Sequence, residues 1–130
     1  MPQLQTLVLT DRTSTDHTFA PVDIIDRVGR VAESTGIPLG NSAYTLALRR
    51  TPMGKYKATL KLQVPVIQTE TVSGIASPKV VRTAYAEATF TFDQTSTTAE
   101  RNNLVGMFAD SLGADKALTN GVLVSLEGVY

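Results

Sequence analysis

The chain has 130 residues and a formal net charge of zero, which fits one domain of ordinary size and argues against a generally basic, nucleic-acid-coating protein. It has no cysteine, so disulfides and thiolate metal sites are excluded. No apolar run approaches the roughly 18 residues that a membrane-spanning helix needs, so no membrane partner is expected.

Charge is nevertheless segregated along the chain. Residues 34–69 carry five basic side chains and no acidic one. Residues 1–33 carry three basic and five acidic side chains, and residues 93–130 carry two basic and five acidic ones. Residues 70–92 are balanced, with two of each. This asymmetry predicts two surfaces with different partners.

The N-terminal segment predicts a β-hairpin over residues 1–20. Residues 3–9 alternate as a strand does, and the polar stretch 11–16 is typical of a turn. Residues 17–20 are predicted to pair back as a short second strand, which Pro21 ends.

The next segment is ambiguous at its start. Residues 22–34 fit either a helical stripe or a loop followed by a strand, and their β-branched content favours a strand over residues 28–34. Glycine and proline predict a turn over residues 35–42. Residues 43–51 alternate again as a strand, and residues 52–54 form a tight connection to the next one.

The strand predicted over residues 55–67 carries the clearest pattern in the chain. Its polar side chains occupy alternate positions, which are Lys55, Lys57, Thr59, Lys61 and Gln63. The residues between them are mostly apolar, so the strand has an apolar face and a basic face. Pro65 suggests an edge, a bend or a bulge. A flat basic face suits a polyanion, and RNA is the first ligand to test.

After the third long strand, the spacing of apolar residues changes from that of a strand to that of a helix. A polar loop is predicted over residues 68–78 and a third long strand over residues 79–92. Thr97 with Glu100 three residues later forms a capping box, which starts a helix that Gly113 ends. A second helix is predicted over about residues 114–126. Strands followed by helices predict an α+β domain with the helices on one face of an antiparallel sheet.

Several strings, in this order, resemble the coat proteins of the small single-stranded RNA bacteriophages, the leviviruses. They are KYKATLKLQVPV at 55–66, VRTAYAEATFTF at 81–92, STTAERNNLVGMFAD at 96–110 and the terminal GVY. The resemblance implies one coat protein domain over residues 1–130, with an N-terminal β-hairpin (1–20), a five-stranded antiparallel sheet (28–92) and two C-terminal helices (97–126).

The resemblance also implies the assembly and its partners. Two subunits would form an intertwined dimer with a ten-stranded sheet, and dimers would build a T=3 icosahedral shell with the sheet face inside. The partners would be a second copy of the chain, single-stranded genomic RNA, an RNA operator hairpin whose binding represses replicase translation, and one maturation protein. The expected location is the virion, and the host bacterial cytoplasm during assembly.

Matching positions in the family contact RNA through the inner sheet face. The expected RNA-binding residues are Thr45, Arg49, Lys55, Lys57, Thr59, Lys61, Tyr85 and Glu87. Lysines two apart on a strand lie about 7 Å apart, close to the spacing of phosphates. Tyr85 would stack an unpaired base, and Thr45 and Thr59 would form a small adenine pocket, one from each subunit. Ala47 and Glu87 depart from the Ser or Asn common in the family, so a different operator sequence is expected.

The predicted loop matches the family's assembly loop, which meets its copies at the five-fold and quasi-six-fold axes and adopts two shapes. Its residues are Gln68, Thr69, Glu70, Thr71, Val72, Ser73, Gly74, Ile75, Ala76, Ser77 and Pro78. Glycine tolerates unusual dihedral angles, and Pro78 is a candidate for a cis bond in one conformer.

Catalysis is not expected. The chain has one histidine, His17, and no cysteine, so it offers neither a thiol nucleophile nor a histidine pair for a metal. Asp23 and Asp26 are three apart, but paired surface carboxylates are common, and no glycine-rich phosphate loop is present. No catalytic residue, metal or cofactor is therefore assigned. The alternatives to a coat protein are a non-viral RNA-binding regulatory module and a non-viral structural subunit such as a pilus protein.

Overall fold

The computed structural model describes residues 3–34 and 40–130. The chain divides into two compact units, Met1–Thr91 and Phe92–Tyr130, which are taken in turn. Within the described residues, six strands form one sheet in sequence order. The strands are β1 (Leu7–Thr10), β2 (Asp16–Ile25), β3 (Val28–Glu33), β4 (Ala43–Arg50), β5 (Tyr56–Val72) and β6 (Ile75–Phe92).

The N-terminal hairpin is part of the main sheet, not a separate element. Strand β1 is shorter than predicted, and the side chain of Leu4 before it lies over β3, where a Cβ on Gly29 would come within 3.2 Å of Leu4 Cδ1. The sequence predicted that the second strand ends at Pro21, but β2 continues to Ile25. Its pairing with β3 shifts register between Pro21 and Asp23 and then continues. A bulge tolerates the missing N–H of proline, so the strand continues past it. Among the described residues, four strands lie in the range 28–92 for which five were expected, and the two hairpin strands bring the sheet to six.

Strands β3 and β4 follow the prediction closely. The observed bounds, Val28–Glu33 and Ala43–Arg50, lie within one residue of the predicted ones at each end. The turn predicted before β4 falls largely on residues 35–39, which lie outside the described residues. The tight connection at residues 52–54 is confirmed, with the Gly54 N–H donating to the Thr51 carbonyl.

Strands β5 and β6 are longer than predicted, and the loop prediction over residues 68–78 is wrong. Only Ser73 and Gly74 separate the two strands. Both have positive φ, of 54° and 80°, as the two central residues of a type I′ hairpin turn do. Pro78 lies inside β6 with a trans peptide bond. The polar composition predicts a loop, but the β-branched side chains of Thr69, Thr71 and Val72 also favour a strand, and here that strand is exposed on both faces.

Pro65 lies within β5, beyond the stretch that pairs with β4. The β4–β5 register ends at Ala43 opposite Gln63. Within the described residues, Pro65 therefore lies two positions past the last residue of β5 that pairs with β4, where a residue without an N–H is tolerated.

The C-terminal unit contains two helices, α1 (Thr98–Ser111) and α2 (Ala117–Leu123). The predicted capping box is present: Thr97 Oγ1 accepts from the Glu100 N–H, and the Thr97 N–H donates to Glu100 Oε2. Helix α2 is shorter than predicted at both ends. Its N-cap, Lys116, provides no side-chain cap, and Leu126 beyond its end has a φ of 58°.

Little of either unit is fully buried. Among the described residues, the buried apolar side chains are those of Phe19, Val31 and Ala43, which belong to β2, β3 and β4. No residue of α1 or α2 is buried. A chain of this length normally buries far more apolar surface, so many apolar side chains remain exposed on the isolated chain.

Candidate nucleic-acid interface

The β4–β5 register brings the predicted RNA-binding residues together in pairs. Thr45 lies opposite Lys61, and Arg49 lies opposite Lys57. Ala47 lies opposite Thr59 between them. Directly opposed residues in an antiparallel pair point to the same side, so the alternate positions of both strands form one continuous polar face.

The other side of the same two strands is apolar, as the alternation predicted. Tyr44 pairs with Leu62, and Leu46 pairs with Leu60. Leu46 and Leu48 remain 37% and 59% exposed. The two faces of these strands therefore differ in chemistry, and neither is closed off by the rest of the sheet.

A concavity of about 440 Å³ lies on the polar face. It is lined by Val28, Thr45, Ala47, Arg49, Arg50, Thr51, Pro52, Lys57, Thr59, Lys61 and Glu87. Among these, Thr45, Ala47 and Thr59 are half-buried, while Lys57 and Lys61 are exposed. The site thus has a neutral floor of small side chains and a charged rim.

The positive charge on this rim is not neutralised within the protein. In the part of the chain that the structure describes, Arg49, Lys57 and Lys61 form no ion pair. Glu87 is the acidic residue that lines the concavity, and it forms none either. Three such cations around one carboxylate leave a net positive surface, which attracts phosphates and other anions.

Two of the predicted residues lie outside the lining of this concavity. Lys55 sits in the β4–β5 connection, where its N–H donates to Thr51 Oγ1. Tyr85 is two residues from Glu87 on β6 and is 76% exposed. Alternation places Tyr85 on the same face as Glu87, so its ring is available for stacking beside the concavity rather than inside it.

Some lining residues were not predicted. Val28 belongs to β3, opposite Ala47 in the register, and Arg50 lines the end of the site with its guanidinium 5.9 Å from the centre of the Tyr56 ring. The sequence placed Val28 in a strand, but the pattern of that strand alone does not show its register against β4.

A separate cluster of ionisable groups lies at the N-terminal hairpin. The two ring nitrogens of His17 contact two carboxylates: Nε2 lies 2.8 Å from Asp11 Oδ2, and Nδ1 lies 2.7 Å from Glu33 Oε1. These hydrogen bonds, first to Asp11 and then to Glu33, raise the pKa of His17. Hydrogen bonds from Thr13 and then His17 hold the pKa of Asp11 well below its usual range.

This cluster is structural in character. It ties the β1–β2 turn to the end of β3. Within the described ranges, no group of three or more His, Cys, Asp or Glu side chains is arranged to hold a metal ion. The same residues include no helix that is long and apolar enough to cross a membrane.

The antiparallel sheet followed by two C-terminal helices defines the coat-protein class of fold. The levivirus coat protein family model matches residues 2–130, and the chain belongs to that family. It is 58% identical to the capsid protein of Pseudomonas phage PRR1 over 130 residues, covering 98% of this chain and 99% of that protein.

Solved structures agree with this assignment. The chain is similar to the capsid protein of bacteriophage GA, with a TM-score of 0.84, 25% identity and 98% of each chain covered. It is also similar to an unassembled virus coat protein described as a bacteriophage RNA-binding dimer, with a TM-score of 0.60, 25% identity and 98% of each chain covered. The predicted family and fold class are therefore confirmed.

Proposed function

We propose that this chain is a single coat domain over residues 1–130 that forms a homodimer and assembles into a T=3 icosahedral shell around a single-stranded RNA genome. The observation that carries the proposal is the un-neutralised basic face of β4 and β5 on a chain 58% identical to a phage capsid protein. The shell would form in the host bacterial cytoplasm and persist as the virion.

Self-association follows from the exposed apolar surface. Leu104, Met107 and Phe108 of α1 are 40%, 68% and 42% exposed. An isolated helix of 14 residues is marginal in water, and exposed apolar surface of this extent is typical of an interface. An intertwined dimer with a ten-stranded sheet would cover these side chains, and the solved RNA-binding dimer is similar to this chain.

RNA binding would use the face built by β4, β5 and β6. Arg49, Lys57 and Lys61 would neutralise phosphates and supply the salt-dependent part of the affinity. The half-buried floor at Thr45 and Thr59 would receive an unstacked base, and Tyr85 would stack another. An RNA hairpin presents both features, so the same face would bind an operator and repress replicase translation.

The β5–β6 hairpin would carry the contacts between dimers. The stretch from Gln68 to Pro78 forms its outer end, with Val72 and Ile75 66% and 71% exposed beside the turn. These side chains would pack against copies of themselves around the symmetry axes. A single maturation protein would be the further partner in the shell. The role is structural and RNA-binding, with no catalytic step.

The decisive experiment is electron microscopy of the protein expressed alone in bacteria, with absorbance at 260 and 280 nm read on the same fraction. We expect uniform small icosahedral particles that contain RNA. A Lys57→Gln, Lys61→Gln double variant should pack less RNA, because two phosphate-binding charges per subunit are lost.

Two results would contradict the proposal in different ways. Free dimers that bind RNA without forming particles would indicate a regulatory module. Particles that contain no RNA, and dimers with no affinity for it, would leave the shell function intact and remove the RNA-binding one.

A further inference from the structure

Arg30 lies in line with the basic face, although it belongs to a different part of the sequence. It is on β3, directly opposite Thr45 of β4, and Thr45 is directly opposite Lys61 of β5. Opposed residues in an antiparallel sheet share a face, so Arg30, Thr45 and Lys61 form one row across three strands. Val28, two residues before Arg30, lines the concavity itself.

The side chain of Arg30 is exposed and available. It forms no ion pair in the described parts of the chain. Its other neighbour across the sheet is Asp23 of β2, and even this carboxylate lies too far away for an ion pair. The guanidinium therefore adds a full positive charge to the surface beside the concavity.

We propose that Arg30 is a further RNA-contacting residue, which extends the binding face from β4 and β5 onto β3. The proposal rests on the proposed RNA-binding function of that face. Neighbouring strands lie about 4.8 Å apart, so the Cα atoms of Arg30 and Lys61 are separated by roughly 10 Å across Thr45. That distance lets two phosphates of one strand bind on either side of a base held at Thr45.

The chemistry of arginine suits this position. Its planar guanidinium donates two parallel hydrogen bonds to one phosphate, whereas a lysine acts as a point charge. Asp23 marks the end of the basic surface on the β2 side, since a phosphate placed further along would meet its carboxylate. The RNA backbone would thus cross the strands from Lys61 towards Arg30 and stop at β2.

The test is the salt dependence of binding to a fluorescently labelled, uridine-only single-stranded RNA. The full-length chain is kept below its assembly concentration, and affinity is measured by anisotropy at several salt concentrations. The variants are Arg30→Gln and Arg30→Lys. Arg12→Gln, which removes an exposed arginine from the β1–β2 turn, is the matched control, and Lys61→Gln is the reference for the proposed face.

Loss of one phosphate contact on single-stranded RNA makes the plot of log affinity against log salt shallower by about 0.7. We expect this change for Arg30→Gln and Lys61→Gln, a slope near that of the native chain for Arg30→Lys, and no change for Arg12→Gln. Asp23→Asn should raise the affinity, because it removes the carboxylate next to Arg30.

The outcomes separate the two proposals. A native slope for Arg30→Gln together with a shallower slope for Lys61→Gln overturns the role of Arg30 and leaves the RNA-binding face standing. Native slopes for both variants overturn the RNA-binding face as well. Circular dichroism of each variant, matched to that of the native chain, shows that any loss is not caused by unfolding.

Discussion

At the scale of single residues, His17 joins two carboxylates that belong to different parts of the fold. When both ring nitrogens are protonated, His17 donates to Asp11 through Nε2 and to Glu33 through Nδ1, and so joins a turn to the end of β3. Asp11 also accepts from the Thr13 hydroxyl and from the backbone N–H groups of Thr13 and Thr15. The turn is therefore organised around one carboxylate and closed by one histidine.

This cluster predicts a pH dependence of stability. The pKa of His17 is raised in the folded chain, so its contribution is complete below the unfolded pKa of about 6.5 and is lost as pH rises through the folded value. The pKa of Asp11 is lowered, so its contribution is present above about 3.8 and is lost as the pH falls. The measurement is the thermal unfolding of the native chain and of His17→Gln at a series of pH values, from below about 3.8 to well above about 6.5.

We expect the native chain to be more stable than His17→Gln in mildly acidic solution, with the difference shrinking as the pH rises above neutral. A difference that is constant across this range would show that the ion pairs contribute nothing and that the histidine acts through packing alone. Asp16, an exposed carboxylate that accepts from the Thr10 hydroxyl, provides a control: Asp16→Asn should leave this alkaline trend in place.

At the scale of elements, the start of α1 was predictable because its signal is local. The capping box needs only Thr97 and Glu100 at the correct spacing, and both hydrogen bonds are formed. Thr97→Ala should lower the free energy of unfolding by about 1 kcal/mol, because one N–H at the helix start loses its partner. Chemical denaturation measures the loss, and Thr97→Ser, which keeps the hydroxyl, should be close to native. Equal losses for the two variants would assign the effect to the methyl group.

The β5–β6 turn was less predictable, and it carries its own expectation. Gly74 has a φ of 80°, and the position that a Cβ would occupy is open space, so a substitution there meets strain but no clash. Gly74→Ala should lower the free energy of unfolding by about 1 kcal/mol, the cost of a left-handed conformation.

A comparison with asparagine isolates the backbone effect at this turn. Gly74→Asn should lower the stability less, because asparagine tolerates positive φ. Denaturant titrations of both variants against the native chain make the comparison. An alanine variant as stable as the native chain would mean that the turn changes its conformation at little cost.

The elements that the sequence predicted well share a reason. The first and last residues of β3 and β4, like the capping box, depend on residues within a few positions of each other. The continuation of β2 through Pro21 depends on a bulge against β3, and the length of β5 and β6 depends on their pairing with each other. The bulge leaves no mark in the local sequence, because its partner strand lies elsewhere in the chain. The stretch 68–78 instead pairs with itself across Ser73 and Gly74, and its mostly polar composition is what predicts a loop there.

At the scale of the whole molecule, the scarcity of buried side chains predicts that stability depends on association. Fully buried apolar residues in the described part of the chain are few, and none belongs to either helix. If the folded unit is a dimer, a tenfold rise in protein concentration adds about 1.4 kcal/mol to its stability. The midpoint of thermal unfolding should therefore rise with concentration, and a midpoint independent of concentration would indicate a stable folded monomer.

The sequence by itself determined the family, the class of fold and the alternating chemistry of β5, because these depend on local order and on residue types at fixed spacing. It also determined which lysines and threonines share one side of that strand. Only the tertiary structure decided which strands stand beside it. Register brought Val28 and Arg30 of β3 to the face that Lys57 and Lys61 define, and hydrogen bonds between backbones set that register across distant parts of the chain.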